Sequence, residues 1–305
     1  MEHHMDKVSS KSRISRTRRR HNTWALIFLA PSLIPLAAFT FWPMLQSIWI
    51  SLNKWNLISE PTWVGFGNYS KLLADPGTWQ ILGHTLTFVL GYLPLVYVGG
   101  LALAIALNQR LPARGLLRAV YFLPVITSWV VVALVWKWLL NPSNGVINAV
   151  LGALGLPEPG WWTDPQWAMA SVVLASAWKD LGFVMVILLA GLQNIPTELY
   201  EAACIDGASK WAQLRYVTLP LLTPSSFFVV IISLINGFQV FDQVFVMTGG
   251  GPQGASQVVV GQIYDLTFRY GRAGEAAALS WLLFAVILVV TLLQMRGQKK
   301  WVHYA

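Results

Sequence analysis

The sequence predicts an all-α membrane protein with six transmembrane helices, and three observations carry that prediction. Hydrophobic residues fill 55% of the 305 positions and charged residues only 11%, against about 25% charged in a soluble domain. Six apolar stretches, near 24–45, 82–107, 117–139, 168–191, 222–245 and 275–295, each approach the roughly 20 residues a helix needs to cross a bilayer. Lysine and arginine gather in alternate connections between those stretches.

The basic residues also set the orientation. Lys7, Lys11, Arg13, Arg16, Arg18, Arg19 and Arg20 precede the first stretch. Arg110, Arg114 and Arg118 follow the second, Lys210 and Arg215 separate the fourth from the fifth, and Arg296, Lys299 and Lys300 follow the sixth. Fifteen of the 21 basic residues thus fall on one side, which the positive-inside rule makes cytoplasmic. The opposite connections hold Lys54, Lys71, Arg269 and Arg272, with Lys137 near a span end. Both termini and the central loop are therefore expected in the cytoplasm. Residues 1–22 read as a basic tail near anionic headgroups, and 23–305 as the transmembrane domain. The net charge of +8 reflects this topology; no basic face is interleaved with stacking aromatics, so nucleic acid is not expected as a partner. The first stretch reads as a retained span, because it is long, contains Pro31, Pro35 and Pro43, and lacks a small-x-small cleavage site before Trp42. The single cysteine, Cys204, forbids an intramolecular disulfide. The five histidines are scattered, so no metal site is expected.

The residues between the fourth and fifth stretches, 196–220, are too polar to span and too patterned for a plain loop. Thr197 is placed to cap a helix, with Glu198 in its first turn. Gly207 is the natural residue for a left-handed helix end. Ser209 is placed to cap a second helix through Lys210, Trp211 and Leu214 to Tyr216, and Pro220 closes the unit. The order Glu201-Ala202-Ala203, three residues, Gly207, nine residues, Val217-Thr218-Leu219-Pro220 resembles the EAA loop of ABC-importer permeases, with Val217 where the pattern has isoleucine. The resemblance implies a type I ABC-importer permease fold in which this loop is a cytoplasmic coupling helix docking on a separate ATPase subunit. Glu201, Ala202, Ala203, Asp206 and Gly207 would be its coupling residues.

Other segments are similar to the carbohydrate, maltose-type branch of that family. The external segment after the first span carries Trp63-Val64-Gly65 and Asn68-Tyr69 (WVG-x-x-NY). Arg118 and Pro124 open the third span. An NP-x-x-G-x-x-N run begins at Asn141, and Trp161 and Trp162 suit a membrane interface. Gly249, Gly250, Gly251 and Pro252 resist helix formation and resemble the loop that touches the external binding protein.

Polar groups inside spans are costly, about 2.5–3.5 kcal/mol for a central charge on insertion scales, and line cavities. Ser176, Lys179, Asp180 and Phe183 fall at i, i+3, i+4 and i+7, one helical face. Ser233, Asn236, Gly237 and Val240 repeat that spacing, with Gln239, Asp242 and Gln243 nearby. The resemblance places sugar contacts at these positions. Amides, carboxylates and hydroxyls suit a polyol, and Phe183, Phe238 and Phe241 offer faces to stack on a pyranose. Lys179 and Asp180 also read as a structural ion pair or as an interaction with a partner subunit.

The resemblance further implies a second homologous permease, two ATPase subunits, an extracytoplasmic solute-binding protein and a bacterial or archaeal cytoplasmic membrane. This chain has no G-x-x-x-x-G-K-[ST] phosphate loop, so ATP and magnesium are expected on the partner, with no cofactor and no catalytic residue here. The solute stays open between a mono- or oligosaccharide, a polyol and glycerol 3-phosphate. An ion-coupled secondary transporter is the competing reading; it leaves the EAA spacing unexplained. A membrane enzyme finds no catalytic motif.

Overall fold

The computed structural model describes residues 28–109 and 112–301, the side chains at 299–301 excepted. The basic tail, the expected first-span start at 24, Arg110 and the Lys299 and Lys300 side chains lie outside the described residues.

Helix α1 runs Phe28–Ser51 and includes a π-helical turn over Ala37–Phe41. A short antiparallel hairpin follows, β1 (Asn53–Lys54) on β2 (Thr62–Trp63), with Asn53 opposite Trp63. Then come α2 (Gly67–Ala74) and α3 (Pro76–Leu107). The Asp75 carboxylate accepts the Gly77 N–H and caps α3. The chain continues through α4 (Arg114–Ile126), α5 (Trp129–Leu139), α6 (Val146–Ala153) and α7 (Ala168–Gln193). Next are α8 (Thr197–Ile205), α9 (Lys210–Leu221) and α10 (Thr223–Phe238). The last three are α11 (Asp242–Met247), α12 (Val259–Tyr264) and α13 (Ala273–Trp301).

Four of these helices, α1, α3, α7 and α13, are long and apolar enough to cross a membrane. Two pairs, α4–α5 and α9–α10, meet the same test jointly but bend by 102° and 66°. If each pair is one span, the total is six. Two expected boundaries change. The stretch 117–139 is not one helix: Thr127 and Ser128 are extended, at ψ 141° and 139°. The stretch 222–245 ends as a helix at Phe238, and 239–241 separate it from α11.

The core is the long contact of α3 with α7, flanked by α4 and α10. Phe88, Val89, Tyr92, Val96, Gly100 and Ala104 form a buried stripe on α3 at helical spacing. A Cβ on Gly99 or Gly100 would lie 2.5 Å from a methyl of Leu181 or Val184 on α7. Between helices in lipid there is little hydrophobic drive, so close packing and hydrogen bonds carry association. The cross-links are present: Tyr92 Oη donates to Asp180 Oδ2 at 2.8 Å, joining α3 to α7. Tyr97 and Ser226 share a 2.8 Å bond that joins α3 to α10.

The segment between α1 and α3 is clamped to the last span. Asn68 is buried, and its Nδ2 donates to the carbonyls of Ser51 (2.8 Å) and Asn53 (2.9 Å). Gly274 sits so close that a Cβ would lie 1.9 Å from the Asn53 oxygen. Lys71 and Arg272 both pair with Glu275 on α13, and Trp281 donates to Ser47 on α1. Asn68→Ala would leave two inward carbonyls without their donor. It is expected to cost roughly 1–3 kcal/mol, read as a lower melting temperature of the solubilised chain. An unchanged melting temperature would mean that water satisfies both carbonyls.

Candidate functional site

Two regions carry the sequence-predicted residues. The first is the α8–α9 hairpin. Its helix begins one residue earlier than expected: Pro196, not Thr197, is the N-cap, Thr197 is the first helical residue, and no side chain caps it. The other end forms as the sequence requires. Gly207 takes φ +76°, and the N–H groups of Ala208 and Gly207 bond to the carbonyls of Ala203 and Cys204 at 2.9 and 3.0 Å, the paired bonds of a Schellman end. The Ser209 hydroxyl accepts the Ala212 N–H at 3.2 Å and caps α9. Gln213 Nε2 donates to the Ala208 carbonyl at 3.2 Å, and Tyr200 and Thr218 share a 3.0 Å bond across the hairpin.

The hairpin is thus ordered from within, yet its apolar side chains stand out. Ile205 is 87% exposed, Trp211 71% and Tyr216 76%. Glu201, Ala202, Asp206 and Gly207 are exposed and Ala203 is half-buried. Glu201, Cys204 and Trp211 line a cleft of about 1080 Å³ together with Ile105 of α3 and Asn108 and Gln109 just beyond its end. A fixed hairpin that presents large apolar groups and an acid beside an open cleft is an interaction surface by its chemistry.

The second region is a cavity of about 250 Å³ within the helical bundle. Its wall combines Phe88 and Tyr92 of α3, Trp129 of α5, Asp180 of α7, Asn236 and Gly237 of α10, the unwound Gln239, Val240 and Phe241, and Asp242 and Gln243 of α11. Tyr92 and Asp180 lie halfway along the 32-residue α3 and the 26-residue α7. Both helix interruptions reach this depth: Trp129 follows the break after α4, and 239–241 follow α10. Non-helical backbone at membrane depth is tolerated where it is buried in protein or lines a polar cavity.

The sequence profile of the family described as "binding-protein-dependent transport system inner membrane component" matches residues 96–300. The chain belongs to this family. The permease is 35% identical to the trehalose/maltose transport system permease protein of Thermococcus litoralis, covering 92% of this chain and 96% of that one. It is 36% identical to the lactose transport system permease protein of Rhizobium radiobacter, over 90% and 92%. A solved structure of a bacterial alginate ABC transporter, in complex with alginate pentasaccharide-bound periplasmic protein, superposes at a TM-score of 0.80 with 25% identity. That match covers 94% of this chain and 96% of that one.

Within the permease, the expected substrate-path residues divide. Asp180, Asn236, Gly237, Gln239 and Val240 meet on the cavity wall; Ser176, Lys179, Phe183 and Ser233 do not. The Ser176 hydroxyl donates to Val172 of its own helix at 2.7 Å. Lys179 is buried, its Nζ donating to the Val125 carbonyl at 3.0 Å and standing 4.7 Å from the Trp129 ring centroid. It forms no ion pair with Asp180 among the described residues. The cause is α4. That helix lies so close to α7 that a Cβ on Gly182 would meet the Tyr121 oxygen at 2.1 Å, and it covers the face that carries Lys179.

Tyr92, Trp129 and Phe88 were not singled out from the sequence. The usable signal was Tyr92 itself, a hydroxyl at mid-span that needs a partner. The glycine loop is a hydrogen-bonded turn. Gly249 and Gly250 take φ +61° and +83°, and Ser256 Oγ lies within hydrogen-bond distance of the Gly251 carbonyl and the Thr248 hydroxyl, at 2.6 and 2.7 Å. Gly249 is exposed, Gly250 is buried, and Gly251 and Pro252 are half-buried.

Proposed function

We propose that this permease is the transmembrane subunit of an ATP-driven importer that takes a carbohydrate from an extracytoplasmic binding protein into the cytoplasm. The mid-span cavity carries the reading: its amides, carboxylates and aromatic faces suit a polyol. Relatives named for trehalose/maltose and lactose transport, and a fold neighbour that imports alginate, point to the same solute class. The neighbour's complex with its periplasmic protein supports an external partner, for which the turn at Gly249, Gly250, Gly251 and Pro252 is the proposed contact.

The α8–α9 hairpin is the proposed coupling element. Its exposed Ile205, Trp211 and Tyr216 dock on one of two ATPase subunits, which hold ATP and magnesium. Glu201, Ala202, Ala203, Asp206 and Gly207 form the contact. A second homologous permease completes the pore. With six spans both termini share one side, and the lysines and arginines that flank them favour the cytoplasm of a bacterial or archaeal cell. ATPase closure then swings the hairpin and, through the continuous α9, the bent α10 that borders the cavity.

The test is ATP hydrolysis in proteoliposomes that hold the chain, its second permease and the ATPase pair, with sugar-loaded binding protein added. Loaded binding protein is expected to stimulate hydrolysis. Glu201→Ala, an exposed substitution with no packing cost, is expected to remove at least nine-tenths of that stimulation without loss of the chain. Full stimulation in Glu201→Ala would remove the coupling role, and solute movement by the chain alone under an ion gradient would replace the reading with a secondary transporter.

A further inference from the structure

The mid-span cavity is charged with one sign only. Asp180 and Asp242 are the charged side chains among its described lining residues, with no lysine, arginine or histidine beside them. The basic side chain that sequence places next to Asp180 is engaged elsewhere. Lys179 is 5% exposed, and its ammonium serves the Val125 carbonyl at the end of α4 and the face of Trp129. A cation at a helix C-terminus is favoured by the helix dipole, and the ring adds a cation–π attraction that strengthens where water is excluded. Trp129 lines the cavity and Lys179 does not. The positive charge is therefore held in the wall.

We propose that the cavity admits saccharides that bear no anionic group and rejects uronates and sugar phosphates. The inference rests on the proposed passage of solute through this cavity. Its basis is electrostatic: a carboxylate or phosphate placed there meets the carboxyl groups of Asp180 and Asp242, while the nearest ammonium, that of Lys179, is taken up behind the lining by the Val125 carbonyl and the Trp129 ring. Recognition of anionic oxygens draws on arginine forks or lysine, and no arginine or lysine is among the described residues that line the cavity. Neutral hydroxyls find acceptors in the two carboxyl groups and donors in Asn236 and Gln239. The fold does not decide the matter, since the neighbour at TM-score 0.80 is a transporter of alginate; the lining residues do.

The test uses the assembled complex of this chain, its second permease and the ATPase pair in nanodiscs, without binding protein, so that only the membrane site selects. Saturation-transfer NMR would compare maltose, lactose and trehalose, each against its counterpart oxidised at the primary hydroxyls to uronate. At least one neutral sugar is expected to bind, and its oxidised form to bind at least tenfold more weakly. Asp180→Asn combined with Asp242→Asn is expected to narrow that gap to within threefold. If the double variant does not fold, the wild-type comparison alone decides. Equal or tighter binding of the oxidised form overturns the charge selection while the solute site stands. Binding of no member of any pair, in a complex whose hydrolysis loaded binding protein still stimulates, removes the cavity as the solute site and the selection with it.

Discussion

Gly182→Ala is expected to destabilise the permease severely, although it adds one methyl group to a helix. An added Cβ would lie 2.1 Å from the Tyr121 oxygen, 2.8 Å from its carbonyl carbon and 3.0 Å from Phe122 Cα. All three are backbone atoms of α4, so no rotamer change relieves the contact. The crossing of Gly99 over Leu181 is different, because there the obstacle is the end of a flexible side chain. For Gly182→Ala the helices themselves must part, and with them goes the Lys179 bond to Val125 that holds the end of α4. Overpacking typically costs 1–3 kcal/mol and occasionally more; a backbone obstacle and a lost buried hydrogen bond put this variant at roughly 3 kcal/mol or above. Gly83→Ala is the control, since nothing lies within 4 Å of its added Cβ. Alanine is favoured over glycine in a helix by roughly 0.5–1 kcal/mol, so the two substitutions should move the melting temperature in opposite directions. Equal melting temperatures would refute the close crossing of α4 and α7.

The parts of this fold that were legible in the sequence are those set by local chemistry. Length and hydropathy suffice for α3 and α7, because a bilayer asks only for enough apolar residues. The α8–α9 hairpin was legible because Gly207 and Ser209 act on their own neighbours, through a positive φ and a cap. The breaks in the third and fifth stretches were not. From Val130 to Trp136 the sequence is uninterrupted apolar chain, and nothing local distinguishes a turn at Thr127 from continued helix. The group that holds the freed Val125 carbonyl arrives from Lys179, 54 residues away. The same distance in sequence explains the substrate path. Helical spacing put Lys179 and Asp180 on one broad face, yet adjacent residues of a helix stand about 100° apart. Which of them meets the cavity depends on α4 covering one side of α7, a tertiary fact. The coverage by α4 follows from Gly182, whose close approach a sequence reader sees only as one more glycine in a span.

Asp180→Ala is expected to lower sugar uptake roughly 10- to 150-fold, the equivalent of one hydrogen bond to a charged group at ~1.5–3 kcal/mol. Asp180 Oδ2 accepts from Tyr92 at 2.8 Å. Its carboxyl group reaches the cavity wall, where an oxygen beyond the tyrosine bond is available to a sugar hydroxyl. The alanine variant removes that acceptor and also strands the Tyr92 hydroxyl, which is 2% exposed as a residue. A loss of uptake could then arise from stability alone, so two further variants separate the causes. Tyr92→Phe removes the hydroxyl without stranding a donor and leaves the carboxyl group in place; it should cost less than tenfold. Asp180→Asn keeps one acceptor oxygen for the tyrosine and turns the other position into a donor, so it should fall between. Uptake of labelled sugar by proteoliposomes, resolved into kcat and KM, is read beside the melting temperature of each variant. If Asp180 contacts solute, Asp180→Ala raises KM well beyond what Tyr92→Phe does at matched melting temperature. If the pair only ties α3 to α7, the variants lose melting temperature in proportion to uptake and KM stays where it was. The distinction is decisive because both roles act through one carboxyl group. An acid midway along a spanning helix is too costly to keep for packing that a serine or an apolar side chain would supply.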